Sequence, residues 1–178
     1  MAIAIITGAS AGLGEEFALR LRDYFPQVDK VWLIARRRER LEALAEKLNH
    51  IESVVLPLDL CSKESFAILA EKLAAEKPQV AVLINNAGCG YLGDVGQGDL
   101  SKQITMTDLN VTALTAVTHL TIPYMVSGSR IINVSSIASF CANAHMTVYS
   151  STKAFVSSFT RGLAFELKGK GIAVTAVC

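Results

Sequence analysis

Six short apolar runs restrict the architecture of this chain more than any other feature: IAIIT (3–7), VWLIA (31–35), SVVLPL (53–58), VAVLIN (80–85), RIINVS (130–135) and IAVTAV (172–177). Each has the length of a strand and is rich in Val and Ile, whose branched Cβ suits a pleated surface. Helix-like stretches separate them, near 13–25, 37–49, 62–76, 100–125 and 147–168. In RRERLEALAEKLN, Leu41, Leu44 and Leu48 fall on one stripe with charges opposite; in the last stretch Phe155, Phe159, Leu163 and Leu167 recur every four residues. Runs that are apolar throughout, rather than alternating, belong to sheets buried on both faces. Strand–helix alternation with right-handed crossovers therefore predicts an α/β fold. It is a doubly wound parallel sheet whose ligand lies at the carboxyl ends of the strands.

The bulk properties agree with one domain, residues 1–178. A chain of 178 residues, 51% of them hydrophobic, can bury a sizeable core. Its mean hydropathy of +0.38 suggests that a further helix face is buried between subunits. A net charge of +1 gives no reason to expect nucleic acid as a partner. No apolar run approaches the ~18 residues of a membrane span, and MAIAII is too short for a signal-peptide core. Cys61, Cys89, Cys141 and Cys178 show no paired spacing, and His50, His119 and His145 form no ligand cluster. Reduced thiols in a cytoplasmic protein, with no metal site, are the expectation. His145, four residues before Tyr149, reads as a loop histidine. The five glycines of GCGYLGDVGQGD (88–99) mark a mobile loop.

Three stretches carry chemistry. TGASAGLG (7–14) follows the first strand and opens the first helix, with Gly8, Gly12 and Gly14 spaced G-x-x-x-G-x-G. Glycines let a backbone approach a pyrophosphate, and a helix N-terminus supplies amides and positive dipole. The second strand ends LIARRRER, with no acid ahead of Arg36, Arg37 and Arg38 to accept a bond from a free ribose hydroxyl. An arginine fork suits a phosphate monoester, which favours NADP(H) over NAD(H). VYSSTKAF (148–155) puts Tyr149 one helical turn from Lys153, so both side chains leave one face. A phenol titrates near ~10, and a neighbouring ammonium lowers that value. Each of these has a plain structural alternative: a glycine-rich turn, a solvated basic helix start, an amphipathic first turn.

Taken in order, TGASAGLG, LDL (58–60), NNAG (85–88), Asn110 in DLNVTA, IINVSS (131–136) and YSSTK (149–153) closely resemble the short-chain dehydrogenases/reductases, over nearly the whole chain. The resemblance implies a Rossmann-like sheet with strand order 3-2-1-4-5-6. Gly8, Ser10, Gly12 and Leu13 would surround the cofactor phosphates, with Arg36 and Arg37 beside the ribose. Asp59 and Leu60 would lie by the adenine, and Asn86, Ala87 and Gly88 would line the cleft. Ser136, thirteen residues before Tyr149, is the expected catalytic serine rather than Ser135. Tyr149 would act as general acid/base, Lys153 would tune it and bind the nicotinamide ribose, and Asn110 would join a water relay behind Lys153.

The implied activity is hydride transfer between NADP(H) and a small-molecule carbonyl or alcohol. The alternative is an inactive nucleotide-binding or interaction protein of the same fold. An epimerase or dehydratase relative also uses a Tyr-x-x-x-Lys pair, but with a different glycine spacing. In NADP-preferring members a second basic residue often sits inside the glycine turn, where this chain has Ala11. Family members also continue past the sixth strand with a substrate-covering segment and a seventh strand. The sequence is therefore expected to be incomplete at its C-terminus relative to the family. A homodimer or homotetramer is expected, packed through the helix of Tyr149 and the stretch 100–125, with Phe155 and Val156 on the shared face.

Overall fold

The structure, a computed structural model, describes residues 2–178. Six parallel strands form one sheet in the order β3-β2-β1-β4-β5-β6. They are β1 (Ala2–Thr7), β2 (Lys30–Ala35), β3 (Glu52–Pro57), β4 (Gln79–Asn85), β5 (Met125–Val134) and β6 (Ala173–Val177). The chain builds outward from β1 to β3, then returns to place β4 against the free side of β1. That reversal opens a crevice at the carboxyl ends of β1 and β4.

Alternation along each strand divides the core between the two faces. Ile3, Ile5, Trp32, Ile34 and Leu83 face one way, towards α4 (Lys63–Glu76), α6 (Leu114–Thr121) and α7 (Thr147–Lys168). Ala4, Ile6, Val31, Leu33 and Ile84 face the other, towards α1 (Leu13–Leu19), α2 (Leu21–Tyr24) and α3 (Arg38–Lys47). The predicted stripe on α3 is this contact: Leu41, Leu44 and Leu48 are all buried. On α7, Leu163 and Leu167 are buried whereas Phe155 reaches the surface. Strand β4 breaks its alternation at Ala81. The register shifts between Val80 and Val82 against both neighbours, so Val80 and Leu83 share a face while Ala81 and Val82 join the opposite one.

Three boundaries differ from the sequence expectation. The stretch 13–25 is two short helices, because Arg20 leaves helical geometry at φ −97° and ψ 6°. The stretch 100–125 is not one helix: α5 (Leu100–Thr107) widens into a π turn over Asp108–Ala113 before α6, and Ile122–Tyr124 form a 3₁₀ turn at Pro123. Strand β5 starts at Met125, five residues before the apolar run, because Ser129 holds the polar stretch in the sheet. Its Oγ donates to the Val80 carbonyl at 2.8 Å and accepts from the Val126 amide at 3.1 Å.

Candidate active site

The glycine turn is shaped by close backbone approach. Gly8 has φ +67°, and a Cβ there would sit 2.8 Å from the Ala87 Cα. A Cβ on Gly14 would run into the Gly8 carbonyl, so the first turn of α1 reaches the strand end only as glycine. Gly12 stands at the exposed N-cap of α1 with φ +59°. The floor beside this turn is laced by Thr7, which the sequence reading passed over. Its Oγ1 accepts from the amides of Asn86 and Ala87, each at 3.0 Å, while Asn86 Nδ2 donates to the carbonyls of Thr7 and Gly8 at 3.1 Å.

A cleft of about 490 Å³ runs across these strand ends. It gathers ten of the sequence-predicted positions: Gly8, Ser10, Leu13, Arg36, Arg37, Asp59, Leu60, Asn86, Ala87 and Gly88. Gly12, at the exposed N-cap of α1, does not line it. Arg37 is exposed and donates from a guanidinium nitrogen to Ser10 Oγ at 3.0 Å, closing the basic end over the glycine turn. Asp59 accepts from the Cys61 amide at 3.1 Å and starts the turn into α4. Ala11, Cys61 and Cys89 also line the cleft. They carry no motif signal, since a lining position needs only to border the space.

A second cavity of about 480 Å³ adjoins the first at Leu13, Asn86, Gly88, Cys89 and Tyr91. Tyr149, Lys153, Ser135 and Met146 form its far wall. Here α7 does the positioning: Tyr149 and Lys153 lie one turn apart in its first two turns, with the lysine Nζ 5.8 Å from the phenol ring centroid. Lys153 is 6% exposed and its Nζ donates to the Val134 carbonyl at 2.9 Å. Burial holds its ammonium below the ordinary lysine value of 10.5, because a charge is disfavoured away from water. Gly90 presses its backbone on the Tyr149 ring, where a Cβ would meet ring carbons at 3.1 Å.

The two serines are divided by their partners. Ser135 Oγ is taken up by the Lys153 carbonyl at 3.1 Å and by Ser157 Oγ at 2.8 Å. Ser136 is the next residue out and partly exposed; its Oγ accepts from the Ala138 amide at 3.2 Å and keeps its proton for another acceptor. Ser135, not Ser136, borders the cavity as the side chains stand. Asn110 sits in the π turn, 1% exposed, behind Gly88. Its Oδ1 accepts from the Cys89 amide, and its Nδ2 donates to the Cys89 carbonyl, both at 2.9 Å.

The glycine loop read as mobile is tied down at several points. Besides the Asn110 bonds, the Gly93 amide donates to the His145 carbonyl at 2.8 Å, and His145 Nδ1 lies 2.6 Å from Asp94 Oδ1. His145 is thus a loop histidine with a defined partner, held at φ +60°. Cys89 lies between the two ends of the site: burial raises its thiol, and the charges of Arg36 and Lys153 both pull it back down.

A glycine-floored crevice at the switch point of a parallel sheet, opening into a Tyr–Lys cavity, marks a fold of the dinucleotide-binding kind. The model of the short chain dehydrogenase family matches residues 2–178, and the chain belongs to that family. It is 34% identical over 183 residues to sulfoacetaldehyde reductase 2 of Chromohalobacter salexigens, covering 98% of this chain and 70% of that protein. Among solved structures, the bulky-bulky ketone specific alcohol dehydrogenase of Comamonas testosteroni superposes with a TM-score of 0.87 at 31% identity, covering 99% of this chain and 72% of that one. A short-chain dehydrogenase of Sphingobium yanoikuyae in complex with NADPH gives the same TM-score and identity, over 99% and 69% of the two chains. Members of the family are oxidoreductases that use NAD(P)(H) on alcohol and carbonyl substrates. No helix among the described residues is long and apolar enough to cross a membrane.

Proposed function

We propose that the protein transfers a hydride between NADP(H) and a carbonyl/alcohol pair, with Tyr149 as general acid and base. One observation carries this reading. Tyr149 and a buried Lys153 share one cavity that opens directly into the glycine-floored cleft.

The cleft suits a dinucleotide: glycines at 8 and 14 let the turn pack closely on the strand ends, and the cleft beside it runs from Arg37 to Cys89. When bound there, the nicotinamide supplies or accepts the hydride. Gly8, Ser10 and Leu13 would hold the dinucleotide's phosphates at the start of α1, with Gly12 capping the helix behind them. Asp59 and Leu60 border the adenine, and Asn86, Ala87 and Gly88 line the path to the catalytic cavity. The exposed Arg36 and Arg37, with no acid beside them at the end of β2, support a 2′-phosphate and hence NADP(H).

The protein's own groups handle the proton and the charge. Tyr149 gives its phenolic proton to the carbonyl oxygen in reduction and takes it back in oxidation. The Lys153 ammonium stabilises the phenolate left behind and reaches the nicotinamide ribose. Ser136 stands just outside the cavity wall; turned inward, it would donate its free hydroxyl proton in a hydrogen bond to the substrate oxygen and stabilise negative charge there. Asn110 stands behind Lys153, where it would border the water relay that carries the proton onward. Val156, expected on the subunit face, is instead buried within this chain's own core; Phe155 remains at the surface and supports a homo-oligomer through α7.

The test is NADPH oxidation across a panel of ketones and aldehydes, with Tyr149→Phe as control. Turnover by the native chain, with a loss of about 10²–10⁴-fold in the variant at unchanged cofactor affinity, is the expected result. Cofactor binding without turnover for every substrate would leave an inactive nucleotide-binding protein. Undiminished turnover by the phenylalanine variant would overturn the assignment of the acid.

A further inference from the structure

We infer that Thr152 is a positioning residue that keeps the proton donor in register with the cofactor wall. The inference rests on the proposed role of Tyr149 and gives a role to Thr152, which lies inside YSSTK but receives none from the resemblance.

Thr152 lies one residue before Lys153 and is 3% exposed. Its Oγ1 donates to the Tyr149 carbonyl at 2.7 Å. A threonine in a helix commonly bonds a carbonyl one turn back, and that bond alone would be local. Here the same oxygen also accepts from Asn110 Nδ2 at 3.0 Å. Asn110 in turn holds both the amide and the carbonyl of Cys89. The result is a continuous path of hydrogen bonds, buried at its Asn110–Thr152 centre and part-buried at its ends, from the Cys89 backbone through Asn110 and Thr152 to the main chain of Tyr149. Its members come from the loop after β4, the π turn and α7, so the path joins three elements remote in sequence.

The loop grips Tyr149 a second time. Gly90, next to Cys89, lies against the phenol ring. The tyrosine is therefore fixed through its backbone by Thr152 and through its ring by Gly90, from one loop. That loop also forms the wall where the cleft and the catalytic cavity meet, through Gly88 and Cys89. A proton donor must come within ~2.6–3.2 Å of its acceptor. A displacement of about 1 Å costs on the order of 10²-fold in rate. Fixing the donor and the cofactor wall to one hydrogen-bonded path limits that displacement. Removing the Thr152 hydroxyl would also leave Asn110 Nδ2 one partner short in a buried site.

The experiment compares Thr152→Val, which keeps the shape without the hydroxyl, with Thr152→Ser, which restores it. Valine is expected to lower kcat about tenfold or more, with the cofactor KM within about twofold, and serine to return kcat to within about threefold of the native value. The Tyr149 phenol is titrated by ultraviolet absorbance in each protein, with the matching Tyr149→Phe spectrum subtracted. Its midpoint is expected to move in the valine variant and to return with serine. Unchanged kcat together with an unmoved midpoint in the valine variant would overturn the inference, as would serine behaving like valine. Should Thr152→Val not fold, Thr152→Ala is judged against Thr152→Ser on the same two readouts. If Tyr149→Phe keeps full turnover, the catalytic reading fails, and the titration alone decides whether Thr152 controls the phenol.

Discussion

The two ends of the cleft are made by opposite means. At the basic end, Arg36, Arg37 and Asp59 stand exposed on strand-end loops, and the shape comes from backbone brought close by Gly8 and Gly14. At the catalytic end the polar groups are buried and partnered: Lys153 on the Val134 carbonyl, Ser135 on Ser157, Thr152 on Asn110. Side chains in water can be exchanged at small cost, whereas a buried polar group that loses its partner bears its full desolvation penalty. Under the proposed function, the basic end would determine which cofactor binds, and the catalytic end whether a bound one reacts.

The sharpest way to break this contrast is Lys153→Met. It is expected to reduce kcat at least about 10²-fold while NADPH still binds at the other end, measured by cofactor fluorescence beside steady-state rates. It also has a pH signature. Burial lowers the lysine's folded pKa, so between that value and 10.5 the unfolded chain binds more protons than the folded one, and native stability rises with pH through that window. Methionine removes this linkage. The melting temperature of the variant minus that of the native protein should therefore decrease as pH rises towards 10.5. A difference that stays level or grows would show that Lys153 is not held below its ordinary range.

Gly14→Ala tests the backbone half of the comparison. With the Gly8 carbonyl in the way, α1 must shift, and stability should fall by about 1–3 kcal/mol, read as a lower urea midpoint at constant m-value. The smallest effect is expected from the exposed arginines. Replacing Arg36 and Arg37 together by alanine should weaken NADPH about tenfold, leave NADH within about twofold, and leave kcat with saturating NADPH unchanged. Equal losses for both cofactors would mean that the arginines do not select the 2′-phosphate.

Much of the sheet was legible because Val and Ile runs of strand length leave few other folds, and the glycine turn declared its place after the first strand. Ten of the expected positions from Gly8 to Gly88 line one cleft, and Gly12 does not. What escaped notice depended on contacts across the chain. Thr7 is an unremarkable strand-end threonine until Asn86, 79 positions later, donates to it. Thr152 reads as a helix residue until Asn110 arrives from 42 positions away. The start of β5 at Met125 was hidden because VSGS is polar, and its hold on the sheet comes from Ser129 rather than from an apolar side chain. The wide turn at 108–113 has no periodic signature, since the single residue it adds is invisible in a stretch already rich in threonine.

That added residue resets the angular phase between α5 and α6. Only Met106 of α5 is buried, whereas α6 buries Leu114, Val117, Thr118 and Thr121. An unbroken rod would bind the orientation of one face to the other; the wide turn uncouples them. Substitutions on the outer face of α5 can therefore shift that helix while α6 keeps the sheet covered, so the wall beside the cleft is free to vary without a redesign of its foundation.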